Sequence, residues 1–268
     1  MPYRCIAFGG GGMRGAAHIG ALKAIQEVQG SLEFPDGIYG SSVGAIVAAA
    51  VAFNVPLDMM SSVLKNYFKL SMWLPYPSVR DVWSISERRG VLTMDRLRKS
   101  IVDCFTEFGI QDVETKRVRD APQSLFIVAS NLSTKRPAIL TGDVPLVQAI
   151  LCSSCIPGVF EPQVLYGDVY LDAAVYVRAI EQIAPPNALA IKLYDHAFKI
   201  TPKSSLFEIF QACYVGIPKP HPGVDVCVLH DLPTGIINDV TDAQREELLE
   251  KGYLHTLAFL TKMVAKKR

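Results

Sequence analysis

Short apolar runs alternate along this chain with longer stretches whose apolar positions recur at helical spacing, the signature of strands separated by helices. The strand-like runs are Tyr3 to Phe8, Gly37-Ile38-Tyr39, Leu125 to Ala129, Ala188 to Leu193 and Val224 to Leu229. Ala16 to Val28 reads as an amphipathic helix, with Lys23, Gln26 and Glu27 on one face and Ala21, Leu22, Ile25 and Val28 on the other. Ala45 to Ala52 is almost wholly small and apolar, which predicts a helix packed on all sides. Further helical stretches fall around 93–107, 145–152 and 204–214. A final helix opens near Thr241-Asp242 and ends in Lys262, Lys266, Lys267 and Arg268, charges that complement its dipole. The alternation predicts a three-layer α/β/α fold around a mostly parallel central sheet. Without internal repeat, low-complexity run or linker, residues 1–268 are expected to form a single domain.

The stretch from Leu57 to Leu70 places Met60, Val63, Leu64, Tyr67 and Phe68 at helical spacing and runs into Met72-Trp73-Leu74-Pro75-Tyr76-Pro77. Its favoured reading is a buried helix followed by a proline-rich loop, since Pro75 and Pro77 end any helix there. Met and aromatic side chains also suit a lipid interface, which keeps peripheral membrane contact open. Trp83 to Gly90 is a candidate flap over a site.

Composition narrows the function classes. A formal charge of +1 and the lack of a basic tract give no electrostatic case for nucleic acid. No apolar stretch approaches the ~18 residues of a membrane span, and the chain enters its first strand directly after Met1-Pro2. A cytoplasmic protein, peripheral at membranes if it meets them at all, is the expectation. The six cysteines, at 5, 104, 152, 155, 213 and 227, are scattered like small core residues of a reducing compartment. Cys152 and Cys155 have C-x-x-C spacing, but no second pair accompanies them, and neither a metal nor another cofactor is implied.

The chemistry concentrates in two loops. Gly40-Ser41-Ser42-Val43-Gly44 fits the G-x-S-x-G elbow, in which a tight turn between strand and helix exposes a nucleophilic serine, here Ser42, and Gly40 and Gly44 remove colliding side chains. Gly9-Gly10-Gly11-Gly12-Met13-Arg14-Gly15 follows the first strand and opens the first helix, so bare N–H groups and a helix N-terminus combine to hold an anion. Gly10 to Gly15 also satisfies G-x-G-x-x-G, the dinucleotide fingerprint. Against that reading, Glu33 and Asp36 precede the second strand, whose end carries the serine elbow where a ribose-binding acid would belong. Facing Ser42, the glycine loop would instead hold the oxyanion of acyl transfer.

A base is less obvious. None of His18, His196, His221, His230 and His255 sits in a motif, and His18 falls on the apolar face of the first helix, as a core histidine bonded to backbone would. A Ser-His-Asp triad stays open on sequence alone. Tyr170-Leu171-Asp172 places a carboxylate at the end of a short strand, able to project toward the elbow, which makes Asp172 the better candidate.

With these residues in order, the chain resembles the patatin-like phospholipase family, whose blocks are a G-G-G-x-[RK]-G loop, a G-x-S-x-G elbow and an Asp-Gly-Gly or Asp-Gly-Ala motif. Leu92 to Leu97, opening a helix, and Ser153-Ser154-Cys155-Ile156-Pro157-Gly158-Val159-Phe160-Glu161-Pro162 extend the resemblance over most of the chain. It implies a patatin-like fold and a Ser42–Asp172 dyad that cleaves fatty acyl esters, of phospholipid or another acyl lipid, through an acyl-enzyme. It also implies an oxyanion hole from Gly11 and Gly12 in the Gly10–Gly15 loop, with Arg14 holding that loop in shape. Two departures adjoin the base: Ala173 replaces the family glycine, and the downstream Asn-x-Pro is absent from Val175-Tyr176-Val177-Arg178-Ala179. Should position 173 require a left-handed backbone, alanine would cost about 1–2 kcal/mol there. A weakly active or inactive lipid-binding relative is therefore the alternative, and a dinucleotide-binding protein the second.

Overall fold

The computed structural model describes residues 3–67, 69–74, 78, 83, 85–177, 179–193, 222–233 and 239–266. In chain order the elements are β1 (Cys5–Phe8), α1 (Ala16–Gln29), β2 (Gly37–Ser41), α2 (Val43–Ala52), α3 (Leu57–Tyr67), α4 (Leu70–Trp73) and α5 (Ile85–Arg88). They continue with β3 (Gly90–Leu92), α6 (Asp95–Glu107), β4 (Leu125–Asn131), β5 (Arg136–Leu140), α7 (Leu146–Ser154) and β6 (Gly158–Phe160). Last come β7 (Gln163–Leu165), β8 (Asp168–Leu171), β9 (Leu189–Lys192), β10 (Asp225–Val228) and α8 (Asp242–Lys266).

The main sheet has the order β10-β9-β1-β2-β4-β8-β7, with β5 also on β4. Its strands β10, β9, β1, β2 and β4 are parallel, while β5, β7 and β8 run antiparallel. The architecture is a mixed, mostly parallel sheet flanked by helices, as the alternation of elements predicts. The antiparallel strands and the small parallel pair β3–β6 are additions to that expectation. The predicted helix at 204–214 lies outside the described residues.

Period-two alternation sorts the core. Ile6 and Phe8 of β1 and Leu189 and Ile191 of β9 point into one cluster, while Cys5, Ala7, Ala188 and Ala190 point into another. Buried residues of α1, α2, α3, α6, α7 and α8 join the bulky cluster. On the small-residue face, among the described residues, Ala173, Val177, Ile180 and Ala184 supply the cover. Met60 and Val63 of α3 are buried, in keeping with the buried-helix reading of that stretch. The side chain of Leu64, and Phe68 as a whole, fall outside what is described.

Helices α1 and α8 meet backbone to backbone. A Cβ on Gly20 would stand 1.9 Å from the Leu249 carbonyl oxygen, and one on Gly252 would stand 2.0 Å from that of Ala17. Only glycine at both positions permits the crossing.

The two edges of β4 bring distant segments together. β5 pairs with residues 127–131 of β4, so β2, paired with 125–128, and β8, paired with 130 and 131, must share the opposite edge. β2 runs parallel and β8 antiparallel to β4, so the two strands point at each other end to end. The residue after β2 is Ser42, and the residue after β8 is Asp172.

Candidate active site

Ser42 sits at φ 53° and ψ −127°, a conformation that costs a side-chain-bearing residue about 1–3 kcal/mol and holds its hydroxyl out of the turn. The elbow is held from behind: the Ser42 amide donates to Ser153 Oγ at 2.8 Å, and that hydroxyl donates to the Val128 carbonyl at 2.5 Å. Gly40 and Gly44 allow the tight geometry. A Cβ on Gly40 would lie 2.4 Å from the Gly44 carbonyl oxygen, and one on Gly44 would lie 2.3 Å from that of Phe8. The second contact presses the start of α2 against the end of β1, where the glycine loop begins.

That loop abuts the serine. A Cβ on Gly10 would be 3.1 Å from Ser42 Cβ. The Gly9 amide donates to the Ile191 carbonyl at 2.9 Å, and the Arg14 amide closes the turn onto the Gly11 carbonyl at 3.2 Å. Among the described residues, the Gly10 and Gly11 amides donate to nothing. Gly12 to Gly15 form a 3₁₀ turn leading into α1, with Arg14 half-buried in it and Gly15 at the helix boundary.

The Asp172 carboxyl is buried beside the Ser42 side chain, both lining one cavity, and its Oδ1 accepts the Ala174 amide at 2.8 Å. Its own amide donates to the Cys155 carbonyl at 2.9 Å, which ties Asp172 to the end of α7. Burial pushes its pKa up from 3.8 to about 6, and the Ala174 amide, with the neighbouring Ser42 side chain, pulls it part of the way back. Ala173 opens a 3₁₀ turn and is absent from the residues of positive φ, so alanine in place of the family glycine carries no backbone strain. Of the histidines, His18 bonds the Gly9 carbonyl, as the helix pattern predicts, and His230 and His255 bond each other. His196 and His221 lie outside the described residues.

Two hollows meet at Ser42. An apolar cleft is lined by Val43, Ile46, Leu70, Trp73, Leu97 and Phe160 beside Ser42. A smaller, more polar cavity is lined by Gly9, Gly10, Ser41, Ser42, Asp172 and Lys192, among others. Lys192 forms a buried ion pair at 2.8 Å with Glu181. The cysteines among the described residues are free and buried; Cys152 and Cys155 are unpaired, and burial raises both thiols. Among the described residues no cluster of His, Cys, Asp or Glu is fit to hold a metal, and no helix is long and apolar enough to cross a membrane.

Ser153 is the residue that sequence reading passed over. It was visible only inside the Ser153–Pro162 run, with nothing to give it a task. The available signal was a hydroxyl retained in an otherwise apolar helix end, Ala149-Ile150-Leu151-Cys152.

The family profile of patatin-like phospholipase matches residues 6–180, a span that includes the glycine loop, the elbow and Asp172. The chain belongs to the patatin-like phospholipase family. Among its relatives, an uncharacterized protein of Acanthamoeba polyphaga mimivirus is 27% identical over 175 residues, covering 62% of this chain and 56% of the other. A cUMP-AMP-activated phospholipase of Escherichia coli is 28% identical over 143 residues, covering 53% of this chain and 38% of that one. This patatin-like chain thus spans about half the length of the curated relatives it matches, or less. In structure it resembles VipD from Legionella pneumophila, with a TM-score of 0.58 at 13% identity over 98% of this chain and 67% of that one. It also resembles the ExoU–SpcU complex of Pseudomonas aeruginosa, with a TM-score of 0.54 at 18% identity over 97% of this chain and 52% of that one.

Proposed function

We propose that this patatin-like protein is a lipid acyl hydrolase of phospholipase A type, with Ser42 as nucleophile and Asp172 as general base. The observation that carries the reading is that Ser42, on a strained turn, and the buried Asp172 carboxyl line one cavity with the glycine loop, where an apolar cleft also reaches Ser42. Asp172 takes the Ser42 proton as Oγ attacks the acyl carbonyl, and the free amides of the glycine loop hold the resulting oxyanion. Collapse breaks the bond to the alcohol, which leaves with the proton from Asp172, and the acyl group stays on Ser42. Water then follows the same route: Asp172 accepts its proton as its oxygen attacks the acyl carbonyl, the bond from that carbon to Ser42 Oγ breaks, Oγ regains the proton from Asp172, and the fatty acid leaves.

The two hollows orient the substrate. The acyl chain takes the apolar cleft. The alcohol side takes the cavity that Asp172 lines, because the leaving oxygen must reach the group that protonates it. A lipid substrate brings the protein to membrane surfaces by peripheral contact, and Leu70, Trp73 and Leu74 line the cleft from the segment where the sequence suggested a lipid interface. The fit of the glycine loop against Ser42 favours acyl transfer over nucleotide binding, and the relaxed backbone at Ala173 favours an active enzyme over an inactive lipid binder.

The test combines covalent labelling with turnover on phospholipid vesicles. A fluorophosphonate should label Ser42 in the native protein and fail on Ser42→Ala, and the native protein should release fatty acid while Ser42→Ala and Asp172→Asn do not. Vesicle binding with neither labelling nor release would instead assign a lipid-binding relative.

A further inference from the structure

His18 is wholly buried on α1 and places Nε2 2.8 Å from the Gly9 carbonyl oxygen. A carbonyl only accepts, so Nε2 carries the hydrogen and Nδ1 is the bare nitrogen; Nδ1 meets no partner among the described residues. Burial pushes the imidazole pKa down to about 4, so the ring is neutral across the range in which an ester hydrolase works. The edge of the Phe8–His18 ring pair, with centroids 5.2 Å apart, fixes the plane of the imidazole.

The consequence follows from peptide planarity. In a trans peptide the carbonyl of one residue and the N–H of the next point in opposite directions. With the Gly9 carbonyl held toward the core by His18, the Gly10 N–H is turned away from the core. Gly9 and Gly10 line the cavity shared by Ser42 and Asp172, and the Gly10 amide donates to no described group. The Gly9 amide is held as well, on the Ile191 carbonyl. Both peptide planes at Gly9 are thus fixed just where four consecutive glycines would otherwise leave the chain free to rotate.

Building on the acyl-hydrolase reading, we propose that His18 is a positioning residue that clamps the Gly9 carbonyl and so sets the direction of the loop amides that hold the oxyanion. It touches no reacting atom. Its effect reaches the reaction through the Gly9–Gly10 peptide.

The test compares His18→Phe, which keeps an aromatic ring against Phe8 but donates nothing, with His18→Gln, whose amide nitrogen can take the place of Nε2. On a soluble acyl ester, His18→Phe should lower kcat by about 10- to 100-fold with KM unchanged, and His18→Gln should recover most of the loss. Hydrogen exchange of residues 9–15, measured without substrate, should quicken in the Phe variant and return toward native in the Gln variant. Full kcat in His18→Phe would overturn the proposal. So would equal losses in both variants that track a fall in Tm, or unchanged exchange in the loop. Exchange needs no turnover, so a native protein that hydrolyses nothing would sink the function proposed above and leave the clamp to be judged on exchange alone.

Discussion

The two sides of Ser42 are built from opposite materials. On one side α2, α4 and α6 supply aliphatic and aromatic walls; on the other, the ends of β1, β8 and β9 bring glycine amides, a carboxylate and an ion pair. The apolar side rests on helix packing, where volume decides. The polar side rests on strand ends, where unpaired amides and carboxylates gather because no further strand residue takes them up. If Ser42 is the nucleophile proposed above, it can meet an oily chain on one side and exchange protons on the other, and each side should fail in its own way.

The sharpest break is Asp172→Asn. Turnover should fall by at least about 10³-fold, while a long-chain ligand still binds the apolar side; comparable activity would remove the base from the mechanism. The same variant should be more stable. A carboxyl whose pKa rises from 3.8 to about 6 on folding binds its proton more tightly in the folded state. Its contribution to stability is greatest below about pH 4 and declines by about 3 kcal/mol as pH rises through 6. Asparagine carries no charge to bury, so Tm at neutral pH should rise by roughly 5 °C, readable by calorimetry.

Ile46→Phe attacks the other side alone. Ile46 stands one helical turn beyond Ser42 and lines the cleft, so a larger ring there should cut kcat/KM for long-chain esters by about 30-fold and leave acetyl esters nearly unchanged. Equal losses on both esters would mean that the cleft does not take the acyl chain. Ser153→Ala strikes between the sides by releasing the Ser42 amide and the Val128 carbonyl together. It should cost about 1–2 kcal/mol of stability in urea unfolding and about tenfold in kcat. The mildest probe is pH. Activity needs Asp172 ionised, so kcat/KM should halve near pH 6 and drop about tenfold for each unit below, with no matching fall in Asp172→Asn.

The sequence declared those parts whose chemistry is local. Glycine loop and elbow both follow strands and open helices, so residue type and order alone located Gly10–Gly15 and Gly40–Gly44. His18 was legible for the same reason, from its place in a helical stripe. Asp172 could be nominated as a strand-end acid, yet its meeting with Ser42 depends on β2 and β8 sharing one edge of β4, a pairing between residues far apart in the chain. The edge strands stayed hidden because β5 alternates weakly, with Arg136, Pro137 and Ile139 exposed, and β7 has only three residues. The apolar cleft was hidden too, since its walls come from three helices and a strand whose apolar faces each look like ordinary core.

The glycine-to-glycine crossing of α1 and α8 carries the framework around Ser42 beyond the stretch that matches the family. The family match ends at residue 180, yet α8, starting at Asp242, lies flush along the helix that springs directly from the glycine loop, and Tyr253 adds a bond to Glu27 at 2.6 Å. The tail therefore acts as a splint. A methyl group at position 252 would press on Ala17, lever the splint off and let motion into the loop end of α1, so a change placed well downstream of Ser42 and Asp172 would be felt as a loosened glycine loop.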